Sequence, residues 1–123
     1  MTKQQQEICS KILAISPYIR FVGIIGKKGK LAAYRRRLGI KPLLDAKHTK
    51  NQFSHIARKT DMESKFDRRL GKVLFVWEER KRVQTISFAI KNSRVWVSID
   101  RKVIRSEVLR IIDSCLLIVK SQS

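Results

Sequence analysis

Few side chains in this 123-residue chain are of a type and spacing that could do covalent or metal chemistry. Nucleophilic catalysis needs a Ser or Cys held against a base. The only histidines, His48 and His55, fall two turns apart on one side of a helix. They lack the one-turn HxxxH spacing of a zinc site and have no neighbouring Cys to complete a ligand set, so they read as ordinary surface histidines. Glu63 and Asp67, one helical turn apart, have the spacing for shared acid–base work. Lys59, Arg68 and Arg69 surround them, however, and that pattern reads as surface ion pairing. Glu78-Glu79 leads into a basic turn and screens it. Gly26-Lys27-Lys28-Gly29 is too short for a phosphate loop and runs into a strand, whereas GxxxxGK[ST] opens a helix. Cys9 and Cys115 each stand within a helical apolar pattern and read as small buried hydrophobes. A bridge between their helices is the alternative, and spacing cannot supply the geometry it needs. With no nucleophile–base–orienter set, the chain reads as a non-enzyme, and no cofactor or metal is expected.

The abundant chemistry is cationic. Twenty-eight Lys and Arg stand against ten acids, a net charge of +18, which attracts nucleic acid, acidic lipid surfaces or acidic proteins. Residues 27–72 hold fifteen of these cations and four acids. The groups are Lys27, Lys28 and Lys30 at a first hairpin, Arg35-Arg36-Arg37 at its exit, and Lys47, Lys50, Arg58, Lys65, Arg68 and Arg69 along the next helix. If that helix is continuous, its cations form a stripe roughly 30 Å long at 1.5 Å per residue, able to follow a phosphate backbone by releasing counterions. The competing reading is a solvated face that aids solubility. No RNP-like, KH or zinc-finger signature points to sequence-specific reading, and Tyr34 is a single aromatic beside the arginine run.

The elements that must position these groups follow from periodicity. Ile8, Ile12 and Ile15 predict a helix over 3–15, ended by Ser16-Pro17. The β-branched stretch 19–25, the glycine turn and 30–35 predict a hairpin, and 36–44 reads as a loop. Asp45 is placed to cap a helix over 45–69, with Phe53, Ile56, Ala57, Phe66 and Leu70 on its apolar side. Thr60-Asp61-Met62-Glu63 has the form of a capping box, so a kink or restart near Thr60 is expected. Gly71 stops the helix. Three strands follow, over 72–77, 83–90 and 94–99. The first is apolar on both sides and so is expected to be covered on both faces. Ile104, Val108, Ile111, Ile112, Cys115, Ile118 and Val119 form the core stripe of a last helix over 102–120, with Leu109, Leu116 and Leu117 outside it, free to meet a second partner. Short turns make the joined strand pairs antiparallel. The expected class is α+β: one domain over 1–123, a single five-stranded, mainly antiparallel sheet with three helices, in the order α-β-β-α-β-β-β-α.

That element order resembles the roadblock/dynein light chain superfamily, with its profilin-like layout. Ile15-Ser16-Pro17-Tyr18-Ile19-Arg20-Phe21-Val22-Gly23, Lys41-Pro42-Leu43-Leu44 and Phe66-Asp67-Arg68-Arg69-Leu70-Gly71-Lys72-Val73 also resemble a group of small, uncharacterised archaeal proteins. The roadblock resemblance implies a non-catalytic homodimer or heterodimer, often a platform for a small GTPase, a motor or a regulatory complex. The high positive charge departs from the usual pattern of that superfamily. Phe75, Trp77 and Trp96 are the candidate interface residues, because aromatics are enriched at protein interfaces. The expected partner is a second copy or a related protein, and the alternative is a nucleic acid or other polyanion. The polar start, Met1 to Glu7, lacks the apolar core of a signal peptide, and no run approaches the roughly 20 apolar residues of a membrane span. The cytoplasm is the expected address.

Overall fold

The chain enters its first helix through a capping box. Thr2 Oγ1 accepts from the Gln5 N–H at 3.1 Å, and Gln5 Oε1 accepts from the Thr2 N–H at 3.2 Å, which satisfies donors that a helix start leaves open. The structure, a computed structural model, describes residues 2–122. Its elements are α1 (Lys3–Leu13), β1 (Ile19–Ile25), β2 (Leu31–Arg36), α2 (Ala46–Ser64), α3 (Asp67–Leu70), β3 (Val76–Glu79), β4 (Val83–Ile90), β5 (Ser93–Asp100) and α4 (Arg105–Gln122). The five strands form one sheet in the order β2-β1-β5-β4-β3, and every neighbouring pair is antiparallel. β2 and β3 are consecutive strands at opposite edges, so α2 and α3 carry the chain across the full width of the sheet.

Alternation along the strands divides the side chains between two faces. Val22, Ile24, Ile86, Phe88, Val95, Val97 and Ile99 join Ile8, Cys9 and Ile12 of α1 and Val108, Ile111, Ile112 and Cys115 of α4 in one continuous core. The opposite face has a much smaller apolar cluster of Phe21, Ile25 and Phe53, with Ile56 and Trp96 packed on it. Phe53 of α2 lies 6.4 Å from the Phe21 ring and 5.5 Å, edge-on, from Trp96, separations at which aromatic pairs attract. Gly29 lets α2 approach: its φ is +81°, and a Cβ there would lie 2.8 Å from Ser54 Cα. The rest of this face is polar, with Thr85, Ser87, Arg94 and Ser98 buried.

The expected class, strand number and element order stand, with four local corrections. First, α2 passes through Thr60 without a break. Thr60 Oγ1 donates to the Ile56 carbonyl at 2.8 Å, the back-bond of a threonine inside a helix rather than a cap. The break falls instead at Lys65-Phe66, and one further turn, α3, ends at Gly71 with φ +83°; the described residues form four helices rather than three. Second, the strand expected over 72–77 pairs only from Val76. Third, β3 is an edge strand and not covered on both faces. Fourth, the last helix starts at Arg105, which leaves Ile104 outside it and exposed. Cys9 and Cys115 are buried and unbridged.

Candidate interaction surface

β3 pairs with β4 alone. Its outer row of backbone N–H and C=O groups has no strand beside it, a ready template for another chain. The crossover that delivers β3 is unusually apolar for an exposed segment. Met62 and Phe66 are each 63% exposed, Leu70 82% and Leu74 72%. The sequence pattern assigned Phe66 and Leu70 to the buried side of a long helix and Leu74 to a covered strand. The early end of α2 turns all three outward. Phe75, one of the three candidate interface aromatics, is exposed beside them. Trp77 is half-buried against the main core, where its Nε1–H donates to Gln84 Oε1 at 3.2 Å. Trp96 lies inside the aromatic cluster under α2, where its contacts are within the chain.

The candidate cations also divide. Lys27, Lys28, Lys30, Lys47, Lys50, Arg58, Lys65, Arg68 and Arg69 are all exposed. The one buried residue of α2 is Phe53. The arginine run is split by the strand pleat. Arg35 Nε donates to Ser10 Oγ of α1 at 3.3 Å, whereas the Arg36 guanidinium sits 4.8 Å over the Phe21 ring on the other face. Arg37 is an internal brace: Nε donates to the Ile19 carbonyl at 2.7 Å, and Nη2 to those of Leu13 and Ser16 at 2.7 and 2.9 Å. Among the described residues Lys59 pairs with Glu78, Arg105 with Glu79 and Arg110 with Glu107, and His48 Nδ1 lies 2.8 Å from Asp45 Oδ1, so most of the positive charge is not neutralised by close carboxylates.

Among the described residues the titratable groups form no reaction-ready set. Burial pushes the Cys9 thiol up to about 11, with Arg35 pulling the other way, and the Cys115 thiol up to about 12; both are the reverse of an activated nucleophile. Asp45 caps α2 by accepting from the His48 N–H at 2.8 Å, and that bond holds its carboxyl below the usual range. Among the described residues, no group of three or more His, Cys, Asp or Glu could hold a metal ion. No helix of the described residues is long and apolar enough to cross a membrane.

Solved structures place this arrangement. A roadblock/LC7 domain from Streptomyces avermitilis superposes with a TM-score of 0.68 over 94% of this chain and 92% of its own, at 12% identity. The fold is that of the roadblock/LC7 domain. The gliding protein MglB of Thermus thermophilus shares this roadblock fold at a TM-score of 0.68 and 13% identity, over 97% of this chain and 90% of MglB. Profilin II of Acanthamoeba castellanii follows at 0.60 and 11% identity, over 95% and 98%, in keeping with the profilin-like layout of roadblock domains. Neither a protein-family model nor a curated sequence matches the chain.

Proposed function

We propose that the protein is a non-catalytic interaction scaffold that pairs with a second copy of itself through the β3 edge and the crossover before it. The observation that carries this reading is the open antiparallel edge flanked by exposed Met62, Phe66, Leu70, Leu74 and Phe75. An antiparallel edge is self-complementary about a two-fold axis, and apolar side chains beside it supply the burial that backbone pairing alone lacks. The fold supports the same reading, since one MglB structure with this fold is described as a tetrameric arrangement. Sedimentation equilibrium at high micromolar concentration should give a dimer, with an interface of at least about 1,000 Å² in total. Leu74→Glu with Phe66→Glu should give a monomer with an unchanged circular dichroism spectrum. A wild-type chain that stays monomeric at that concentration refutes the scaffold reading.

The uncompensated cations favour a second role for the same domain, contact with a polyanion such as nucleic acid. Exposed Lys47, Lys50 and Arg58 on α2 and Lys65 at its C-cap, with Lys27, Lys28 and Lys30 at the hairpin, form no ion pair among the described residues. Binding to duplex DNA should weaken with salt at a log–log slope near −0.9 per phosphate contacted. Reversing Lys47, Lys50 and Lys65 to Glu should abolish it, and unchanged affinity refutes the assignment to α2.

A further inference from the structure

Arg94 is the least expected residue in the molecule. It lies on β5 between Val95 and the start of the strand, opposite Ala89 of β4 and Ile25 of β1, and points to the polar face under α2. It is 5% exposed. Its Nε donates to Ser87 Oγ at 2.8 Å, while its Nη2 has no hydrogen-bond partner among the described residues and is shielded from solvent. No carboxylate comes within 4.0 Å of it among the described residues. A guanidinium carries five donors and keeps its charge when buried. Burying it against one neutral hydroxyl therefore leaves most of its desolvation uncompensated.

The same residue lines a cleft of about 700 Å³ between the second half of α2 and the end of the sheet at the two hairpin turns. The volume falls within the range of small-molecule sites. Ile25, Ile56, Val73 and Ala89 give the cleft apolar walls, and Lys27 and Lys91 stand on it as cations. Asp61, Glu63 and Asp67 line it as well. Glu63 is the carboxylate whose field Arg94 feels, but desolvation outweighs it and lowers the affinity of Arg94 for its proton.

We propose that this cleft binds a small organic oxyanion, with its carboxylate or phosphate head on the Arg94 guanidinium and an apolar body against Ile25 and Ile56. The planar fork of arginine matches both kinds of head, and a turn of the side chain toward the cleft would bring Nη2, sealed in this structure, onto the head. The cleft includes no residue of β3, although Met62, Lys72 and Val73 of the crossover line it, and the inference does not depend on the scaffold reading.

The test uses the full chain and three probes, acetate, hexanoate and inorganic phosphate, read by melting temperature and by the Arg94 Nε–H resonance in nitrogen-edited NMR. Hexanoate should bind at least tenfold more tightly than acetate, move that resonance and raise the melting temperature, because a ligand that binds only the folded state stabilises it. Phosphate in place of hexanoate as the tighter probe would assign a phosphate head to the same guanidinium. Arg94→Met should abolish binding without lowering the melting temperature of the free protein, and Arg94→Lys should weaken binding at least tenfold. Glu63→Gln should tighten it by removing a competing negative charge. Binding that survives in Arg94→Met, or no binding of any probe at 20-fold excess over about 1 mM protein, overturns the proposal. Destabilisation of Glu63→Gln by several degrees would instead identify Glu63 as the partner of Arg94 and also overturn it.

Discussion

Replacing Arg37 with Met should destabilise the protein far more than replacing either of its two arginine neighbours. Its guanidinium ties together three carbonyls from separate places: Leu13 at the end of α1, Ser16 in the turn before Pro17, and Ile19 at the start of β1. A hydrogen bond from a charged donor contributes roughly 1.5–3 kcal/mol. The three share one side chain and are only part-buried, so water recovers some of the loss and the terms do not add. The expected cost is about 2–4 kcal/mol, or roughly 8–16 °C in Tm at about 4 °C per kcal/mol for a domain of this length. Arg36→Met loses one exposed contact with the Phe21 ring and should cost below about 1 kcal/mol. Urea unfolding measures both, with the slope m held constant between variants. Arg37→Lys should recover little, because an ammonium cannot span three carbonyls in the geometry of a guanidinium. If Arg37→Met proves as mild as Arg36→Met, the brace is not structural. The same reasoning makes reversal of the whole Arg35-Arg36-Arg37 run an unsafe probe of polyanion binding, since its third member holds the fold.

Two further outcomes are expected. The buried thiols titrate above their unfolded value of about 8.5, so the folded state holds protons that the unfolded state has lost. Stability should be level below about pH 8 and fall as the pH climbs toward the folded values of about 11 and 12. The slope approaches about 1.4 kcal/mol per pH unit per thiol; Cys9→Ala with Cys115→Ala should flatten it in urea titrations at pH 8 to 10. Phe88→Ala should cost about 3–5 kcal/mol from the sealed core, whereas Phe53→Ala should mainly raise amide exchange in α2, because the cluster beneath that helix is small.

Periodicity located the strands and the α1–α4 core because those residues bury one face against a single large partner. The alternation of Ile86, Phe88 and Ile90, and of Val95, Val97 and Ile99, predicts their burial directly. It failed between residues 60 and 77, where apolar residues at helical spacing signal an apolar face without saying what covers it. Phe66, Leu70 and Leu74 have the composition of core residues and the exposure of a contact surface. Among the basic residues, charge alone could not separate Arg37, a donor to buried carbonyls, from the exposed Arg36 beside it. Arg94 leaves a legible trace in the sequence: a cation at the head of the alternating Val95, Val97 and Ile99, at a position that alternation assigns to the α2 face.

The position of β5 between β1 and β4 also sets an order of events during synthesis. Until residues 93–100 have left the ribosome, β1 has only β2 to pair with, and an isolated two-stranded hairpin is marginal in water. The first half of the chain must therefore wait, with its apolar crossover accessible to chaperones or to another nascent copy, and the sheet closes only when its last strand slots into the middle.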